Sequence, residues 1–144
     1  MPVTRTARTP TIVPFAPDHL DGAAVLLAER HRAHRLVEPG LDQRYEDPDL
    51  AREEVGALVR ADGASGVAGL MDGQVAGFVV GTPRDASWGP NMWVEPAGHA
   101  AVDAELVRDL YAAAAERWVA DGLTLHYAML PASDDALVDA WFRL

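Results

Sequence analysis

The stretch "MWVEPAGHAAVDAELVRDLYAAAAERW", residues 92–118, decides the fold that the sequence predicts. An apolar segment ends in a Val-X-Pro break at residues 94–96, and after a short connection apolar residues recur with the period of an amphipathic helix. A strand that leads into a helix N-terminus can hold a phosphate, because the first N–H groups of the helix are free. The connection "AGHAAVD", however, contains one glycine and no arginine or lysine, and it ends in an acid. The sequence therefore indicates a strand–helix unit whose anion-binding site has no arginine or lysine and only one glycine.

The composition restricts the chemistry that is available. With 144 residues, of which 49% are hydrophobic, the chain is long enough for one domain with its own core. It contains no cysteine, which excludes disulfides, thiolate metal sites and a cysteine nucleophile. Its twelve basic residues are all arginine, and the absence of lysine excludes Schiff-base chemistry.

The charge and the hydropathy pattern argue against nucleic-acid and membrane partners. The formal net charge of −10 disfavours binding to phosphate backbones, which requires clustered cations. The N-terminal "MPVTRTARTP" lacks the apolar segment of a secretory signal, and no apolar run is long enough to span a membrane. These features predict a cytoplasmic protein.

The first half of the chain reads as a strand followed by two helices. Residues 1–10 are polar and are expected to form a flexible tail, and "TIVPF" (residues 11–15) predicts a strand. Apolar positions 20, 23, 24 and 27 predict a helix, for which Asp18 is the candidate N-cap. A loop over residues 37–48 leads to a second helix, with Asp47 as N-cap and Pro48 at its first position.

The second half begins with a hairpin. Two apolar runs, residues 66–71 and 74–81, are joined by Asp72-Gly73, the preferred pair for a two-residue turn. A strand at 90–94 follows, then a helix from Asp103 with apolar positions 106, 107, 110, 111, 114, 118 and 119. "LTLHYAML" (residues 123–130) predicts a strand, and the final helix is capped by Ser133 or Asp134. The predicted order is β-α-α-β-β-β-α-β-α in a mixed α/β sheet, with a parallel pair formed across residues 90–130.

This order and its landmarks resemble the GNAT superfamily of N-acetyltransferases from Thr11 onward. The features that carry the resemblance are "DGQVAGFVVG", which is similar to the hairpin of the family, "WVEP" at the end of a strand, the long helix from Asp103, and "DDALVDAWFRL", which is similar to the last helix. The chain is most similar to actinobacterial proteins with two such domains in tandem, in which the first domain is often degenerate. By this resemblance, residues 11–144 are a single GNAT-like domain that lacks the final β-hairpin of the family.

The resemblance implies acetyl transfer from acetyl-CoA to a primary amine, with no metal ion. In the family, the loop after Val-X-Pro holds the CoA pyrophosphate through an Arg or Gln and through glycines. Here His99 stands at the cation position, and alanine or valine stands at the glycine positions. The expected cofactor-binding residues are Val94, His99, Ala100, Ala101, Val102, Asp103 and Ala104.

Two departures from the residues that are usual in the family predict that acetyl transfer by this chain is weak or absent. Asp103 is a good helix cap and would occupy the N–H groups that a phosphate needs, and Glu105 adds negative charge. The tyrosine that protonates the leaving thiolate in many members falls on Trp141, and indole is not an acid at neutral pH.

Two alternatives remain open. An active enzyme would use Glu95 as the general base and His99 in place of the missing cation. A non-catalytic interaction module would bind a second GNAT domain or a second copy through Trp141 and Phe142, whose face the missing strands would leave exposed. The acceptor in the enzymatic case would be a small-molecule or peptide amine.

Further polar residues have structural interpretations that are favoured over functional ones. His31 and His34 have the spacing of a metal pair, with Glu38 as a third ligand, but neighbouring arginines oppose a cation. His126 on the last strand is interpreted as a packed, hydrogen-bonded histidine. Tyr45 and Glu46 lie in the loop that would face the acceptor, where a solvated loop is the default.

Overall fold

The computed structural model describes residues 9–85 and 89–143. The flexible tail predicted for residues 1–10 therefore lies outside the described residues, apart from Thr9 and Pro10, which precede the first strand. The elements are β1 Thr11–Pro14, α1 Leu20–Val37, α2 Pro48–Arg60, β2 Ser65–Met71, β3 Gln74–Arg84, β4 Asn91–Val94, β5 His99–Ala101, α3 Ala104–Ala120, β6 Leu125–Ala128 and α4 Asp135–Phe142. Short 3-10 turns cover Pro17–His19, Gln43–Glu46 and Pro96–Gly98.

The described strands form one mixed sheet in the order β1-β2-β3-β4-β6, with β5 paired to β3. The neighbouring pairs are antiparallel except for β4 and β6, which are parallel, as the strand–helix–strand pattern predicted. The hairpin between β2 and β3 is also confirmed. Asp72 and Gly73 both have positive φ, 53° and 76°, which is the backbone of a type I′ turn.

The predicted element order is confirmed, with β5 as an additional strand that the sequence did not predict. The long strand β3 pairs with β4 through Thr82–Arg84 and with β5 through Gly77–Val79, and the 3-10 turn Pro96–Gly98 lies between them. At Gly98 a Cβ atom would lie 2.6 Å from the carbonyl oxygen of Val80, so only glycine allows this close approach. The segment that follows Val-X-Pro therefore remains part of the sheet, because it pairs with β3 as β5.

Each face of the sheet is covered by helices and has its own core. On one face, α1 and α2 pack on Phe78 and Val80. On the other, α3 packs on Val79 and Met92, with Trp118 fully buried. Because successive residues of β3 point to opposite faces, one strand contributes to both cores.

Helix caps were largely predictable from the sequence. Asp47, Asp103 and Asp134 each accept a hydrogen bond from a backbone N–H in the first turn of α2, α3 and α4. The prediction for Asp18 is wrong: this residue lies inside the 3-10 turn that precedes α1. Val119, one of the apolar positions from which α3 was predicted, lies at the surface, with half of its area (51%) exposed.

None of the helices within residues 9–85 and 89–143 is long and apolar enough to cross a membrane.

Candidate functional site

Two cavities meet at the carboxyl ends of β4 and β6, one on each face of the sheet. The cavity on the α1/α2 side, called here the acidic pocket, has a volume of about 400 Å³, and the opposite one, called the apolar pocket, about 360 Å³. The acidic pocket is lined by Leu27, Arg30, His31, Leu41, Asp42, Tyr45, Glu54, Glu95, Pro96, Ala97 and Met129. The apolar pocket is lined by Val94, Tyr111, His126, Tyr127, Ala128, Leu130, Trp141 and Phe142. Residues next to each other in the chain line opposite pockets, so the ends of β4 and β6 form the wall between them.

Hydrogen bonds to Met129 close this wall. The N–H of Met129 donates to the carbonyl oxygen of Val94 at 2.9 Å. The Nε2–H of His99 donates to the carbonyl oxygen of Met129, also at 2.9 Å. A molecule that reached from one pocket into the other would therefore have to break one of these bonds or displace Met129.

His99 is a neutral structural residue in the folded protein. Its side chain is fully buried, and its ring packs edge-on against Trp141 at a centroid distance of 5.4 Å. Burial, and secondarily the guanidinium of Arg30, lower the pKa of His99 from 6.5 to about 3. At neutral pH this imidazole carries no positive charge with which to bind a pyrophosphate.

Arg30 of α1 places a cation against the turn after β4. Its guanidinium donates to the carbonyl oxygens of Pro96, at 2.5 Å, and of His99. Burial lowers the pKa of Arg30 to about 10, partly offset by the nearby Asp134 carboxylate, so the side chain remains charged at neutral pH. Its donors hold the turn against α1.

The N-terminus of α3 has an acidic environment. Only Val102 and Asp103 connect β5 to α3, and the N–H of Val102 donates to the carbonyl oxygen of Ala76 at 2.8 Å. Asp103 accepts a hydrogen bond from the N–H of Leu106 at 2.9 Å. The exposed Glu105 pairs with Arg143 and Arg108, which lower the pKa of its carboxyl group. The first turn of the helix thus carries two carboxylates where a phosphate would require free donors.

Glu95 lies at the wall of the acidic pocket, where its carboxylate pairs with Arg84. The guanidinium of Arg84 also stacks over the ring of Trp93, 4.7 Å from its centroid. A base that accepts a proton from an amine must be able to reach that proton. The ion pair with Arg84 competes with this role.

Glu54, on α2, is a second carboxylate of the acidic pocket, and sequence reasoning missed it. It is half-buried, and within the described part of the chain no cation forms an ion pair with it. Burial and, next, the charge of Glu54 raise the pKa of Tyr45. Glu54 therefore places a negative charge beside the phenol of Tyr45 inside the pocket.

A hydrogen-bonded Tyr–His pair lines the apolar pocket. The hydroxyl of Tyr111 donates to Nδ1 of His126 at 2.7 Å, and Nε2–H of His126 donates to the carbonyl oxygen of Leu123 at 2.6 Å. Burial raises the pKa of Tyr111. The ring of Trp141 lies 5.2 Å from that of Tyr111, and its indole Nε1–H is buried without a hydrogen-bond partner among the described residues.

Sequence comparisons find no relative: no family model matches the chain, and no curated protein does. Solved structures with similar folds do exist. A probable acetyltransferase is 15% identical with a TM-score of 0.68, and the match covers 92% of this chain and 87% of that one. The aminoglycoside N-acetyltransferase AAC(6')-Iy in complex with CoA is 16% identical with a TM-score of 0.66, over 98% of this chain and 89% of that one. A ribosomal-protein-alanine N-acetyltransferase from Brucella melitensis biovar Abortus 2308 is 14% identical with a TM-score of 0.67, over 93% and 89%.

The chain has the GNAT acetyltransferase fold. This agrees with the resemblance that the hairpin, the Val-X-Pro break and the long third helix indicated. The identities are too low to transfer a substrate to this chain.

The cofactor-binding residues expected from the GNAT resemblance lie in different environments. Val94, His99 and Ala100 are buried, whereas Val102 is 59% exposed and Asp103 lies at the surface. Ala101 and Ala104 are half-buried. Val94 lines the apolar pocket, whereas Val102 borders a surface depression near Gly73 of the hairpin. These residues all lie between the end of β4 and the start of α3, but they do not line a common pocket.

The remaining polar residues occupy structural positions. His31 contacts the carbonyl oxygen of Asp42 at 2.5 Å, and His34 pairs with Asp134 at 2.8 Å, which ties α4 to α1. Tyr45 lines the acidic pocket, whereas Glu46 pairs with Arg35 instead. In the part of the chain that the structure describes, no group of three or more candidate ligands could hold a metal ion.

Proposed function

We propose that this chain is a GNAT-fold domain that retains a pocket for a cationic amine but binds acetyl-CoA weakly and, on its own, transfers little or no acetyl group. The observation that carries the proposal is the first turn of α3. The carboxylate of Asp103 occupies one of its N–H groups, and Glu105 adds a second negative charge. The phosphates of CoA would meet the carboxylate of Asp103, which forms no ion pair among the described residues, while Arg108 and Arg143 are already paired with Glu105.

Two further observations support weak cofactor binding. The imidazole of His99 is neutral at physiological pH and its Nε2–H is already used by Met129. The bond between Met129 and Val94 keeps β4 and β6 together, so the residues that the structure describes leave no open gap between the pockets for an acyl group. An acyl group that entered here would have to break these bonds, and this cost would reduce the affinity for acetyl-CoA.

The acidic pocket supports the acceptor half of the proposal. Asp42, Glu54 and Glu95 place three carboxylates around a cavity that also holds Arg30, whose donors are directed to backbone carbonyls. An ammonium group would be attracted to Glu54 in particular. Among the described side chains Glu95 is paired with Arg84 and Asp42 accepts the N–H of Arg44, whereas Glu54 has no ion-pair partner. A small-molecule or peptide amine is therefore the proposed ligand.

The pocket can be tested with spermidine, which supplies primary ammonium groups. We expect spermidine to shift the backbone amide resonances of α2 and of the turn after β4, and we expect Glu54→Gln to weaken binding at least tenfold. Glu53→Gln is the matched control, since Glu53 is an exposed neighbour on the same helix and does not line the pocket. Equal affinity for the wild type and both variants would contradict the assignment of the pocket.

Acetyl transfer can be measured by release of the CoA thiol from acetyl-CoA. Because the chain contains no cysteine, a thiol reagent gives no background from the protein. We expect thiol release no faster than in buffer with amine alone. Turnover at the rates usual for enzymes, about 1 s⁻¹ or more, would contradict the proposal.

An active acetyltransferase is the second candidate, and the Tyr111–His126 pair is the observation that favours it. In this case Glu95 or Glu54 would remove a proton from the ammonium group, the amine nitrogen would attack the thioester carbon, and the C–S bond would break. Tyr111, with His126 holding its hydroxyl, would supply the proton to the departing thiolate and would regain a proton from the nitrogen, which loses its second proton as the amide forms. This candidate requires measurable turnover that Tyr111→Phe lowers at least a hundredfold.

A further inference from the structure

Arg30 lies in the wall of the acidic pocket, and one side of its guanidinium has no partner. A guanidinium carries five N–H donors. Those of Nη1 and Nη2 contact His99 and the carbonyl oxygen of Pro96, whereas the Nε–H is buried without a hydrogen-bond partner among the described residues. Buried donors in proteins are rarely left without an acceptor, because this costs free energy. The side of the guanidinium that carries the Nε–H therefore has room for an acceptor that a ligand supplies.

The charge of Arg30 is only partly compensated by the protein. Burial lowers its pKa to about 10, and the carboxylate of Asp134 opposes this shift without cancelling it. The groups that its donors contact are carbonyl oxygens and the neutral ring of His99. No carboxylate in the described part of the chain forms an ion pair with it. An anionic acceptor would therefore bind this guanidinium more strongly than a neutral one.

Two charges of opposite sign are thus without an ion-pair partner in the acidic pocket. Glu54 belongs to α2 and lies near Tyr45, whereas Arg30 belongs to α1 and contacts the turn after β4. The two charges lie on different walls of a cavity of about 400 Å³, which is a volume suited to a small molecule.

We propose that the acidic pocket binds an amino acid whose ammonium and carboxylate groups are separated by an alkyl chain, with the ammonium group at Glu54 and the carboxylate at Arg30. This inference rests on the amine pocket proposed above and adds the anionic end of the ligand. The carboxylate would accept hydrogen bonds from the Nε–H and from the second N–H of Nη2, which lie side by side as a carboxylate requires. The alkyl chain would contact the apolar side chains of the pocket, Leu27, Leu41 and Met129.

The overall charge of the protein also fits a ligand of this kind. A ligand with a net negative charge would be repelled at long range by the net charge of −10. An amino acid with one ammonium and one carboxylate group is neutral overall, so its carboxylate can reach Arg30 without this penalty.

The need for a carboxylate is tested with three ligands that share an ammonium group and an alkyl chain: ε-aminocaproate, its amide and n-pentylamine. Dissociation constants are measured by titration of the backbone amide resonances at about 0.15 M salt. We expect ε-aminocaproate to bind at least tenfold more tightly than either analogue. Because the net charge of −10 favours the two cationic analogues, this order requires a local cation. Equal or weaker binding of ε-aminocaproate would overturn the proposal.

Arg30→Gln assigns the local cation, since it removes the charge but keeps an amide that can donate to the turn. In this variant ε-aminocaproate should lose at least tenfold in affinity, whereas n-pentylamine should bind at least as tightly as before. Arg32→Gln is the matched control, because Arg32 is exposed on the same helix and does not line the pocket. Equal losses of ε-aminocaproate affinity in the two variants would contradict the role of Arg30. If Arg30→Gln does not fold, the comparison of the three ligands on the wild type still decides.

The same titrations separate this inference from the amine pocket on which it rests. If n-pentylamine binds and Glu54→Gln weakens it, while the carboxylate of ε-aminocaproate adds no affinity, the amine pocket stands and the inference about Arg30 is wrong. If none of the three ligands binds at millimolar concentration, both are wrong. If ε-aminocaproate binds but Glu54→Gln leaves its affinity unchanged, its ammonium group does not lie at Glu54 and the proposal is overturned.

Discussion

The buried histidine His99 should make the stability of the protein depend on pH. Its pKa is about 3 in the folded protein, because burial and then Arg30 disfavour the charged ring, against an ordinary value of 6.5. Between these two values the unfolded chain binds one proton more than the folded protein. The stability that the neutral ring contributes is therefore fully present above pH 6.5 and is lost as the pH falls from 6.5 towards 3.

The size of this loss of stability follows from the difference between the pKa of His99 in the unfolded and in the folded protein. Each pH unit below 6.5 costs about 1.4 kcal/mol of unfolding free energy, until the folded-state pKa is reached. Lowering the pH from about 7.5 to about 4.5 covers two such units, so His99 alone should account for a loss of about 3 kcal/mol. This is a large part of the stability of a small domain, which is typically about 5–15 kcal/mol.

The comparison of the wild type with His99→Gln isolates this contribution. Glutamine does not titrate, and its amide can donate to the carbonyl oxygen of Met129 as the Nε2–H of His99 does. Urea denaturation of both proteins at the two pH values gives the free energies of unfolding. Contributions from the carboxylates are common to both proteins, so the wild type should lose about 3 kcal/mol more than His99→Gln. Equal losses would refute the view that His99 is held neutral by burial.

Three further predictions concern stability and can be checked by the same denaturation experiment at neutral pH. Gly98→Ala should cost about 2 kcal/mol or more, because the new Cβ would lie 2.6 Å from a backbone oxygen of β3, whereas Gly40→Ala, with open space around it, should change little. Asp134→Ala should cost about 2 kcal/mol, since it removes both the cap of α4 and the partner of His34, and Asp134→Asn should cost less because it keeps the cap. Trp118→Phe should cost about 1–2 kcal/mol, because the fully buried indole N–H loses its hydrogen bond to a hydroxyl of β2 and the smaller ring leaves space.

The parts of the fold that the sequence predicted are those that local chemistry determines. Asp72-Gly73 forms its turn because few other residue pairs accept positive φ at both positions. Asp47, Asp103 and Asp134 cap helices because a short carboxylate reaches the first free N–H groups wherever it precedes a helix. These interactions are contained within a few residues, and a sequence shows them directly.

The features that the sequence did not reveal depend on partners far along the chain. The segment 99–101 has no strand pattern of its own and becomes β5 because β3 is long enough to pair with it beyond β4. This pairing buries His99, so its neutral state could not be inferred from neighbouring residues. Glu54 reaches the acidic pocket through the way α2 packs beside α1, and Tyr111 meets His126 only after the parallel pair has formed. Such positions follow from tertiary packing, which no periodicity in a single sequence specifies.

The proposed loss of activity depends most on the N-terminus of α3, which is predicted not to hold the pyrophosphate of CoA. Calorimetric titration of acetyl-CoA into the purified chain at low salt tests this claim most directly, because low salt favours any phosphate contact that exists. With the carboxylate of Asp103 on the N–H of Leu106 and His99 neutral, we predict heats no larger than those of dilution up to millimolar acetyl-CoA. A micromolar dissociation constant would contradict the account and favour an active acetyltransferase.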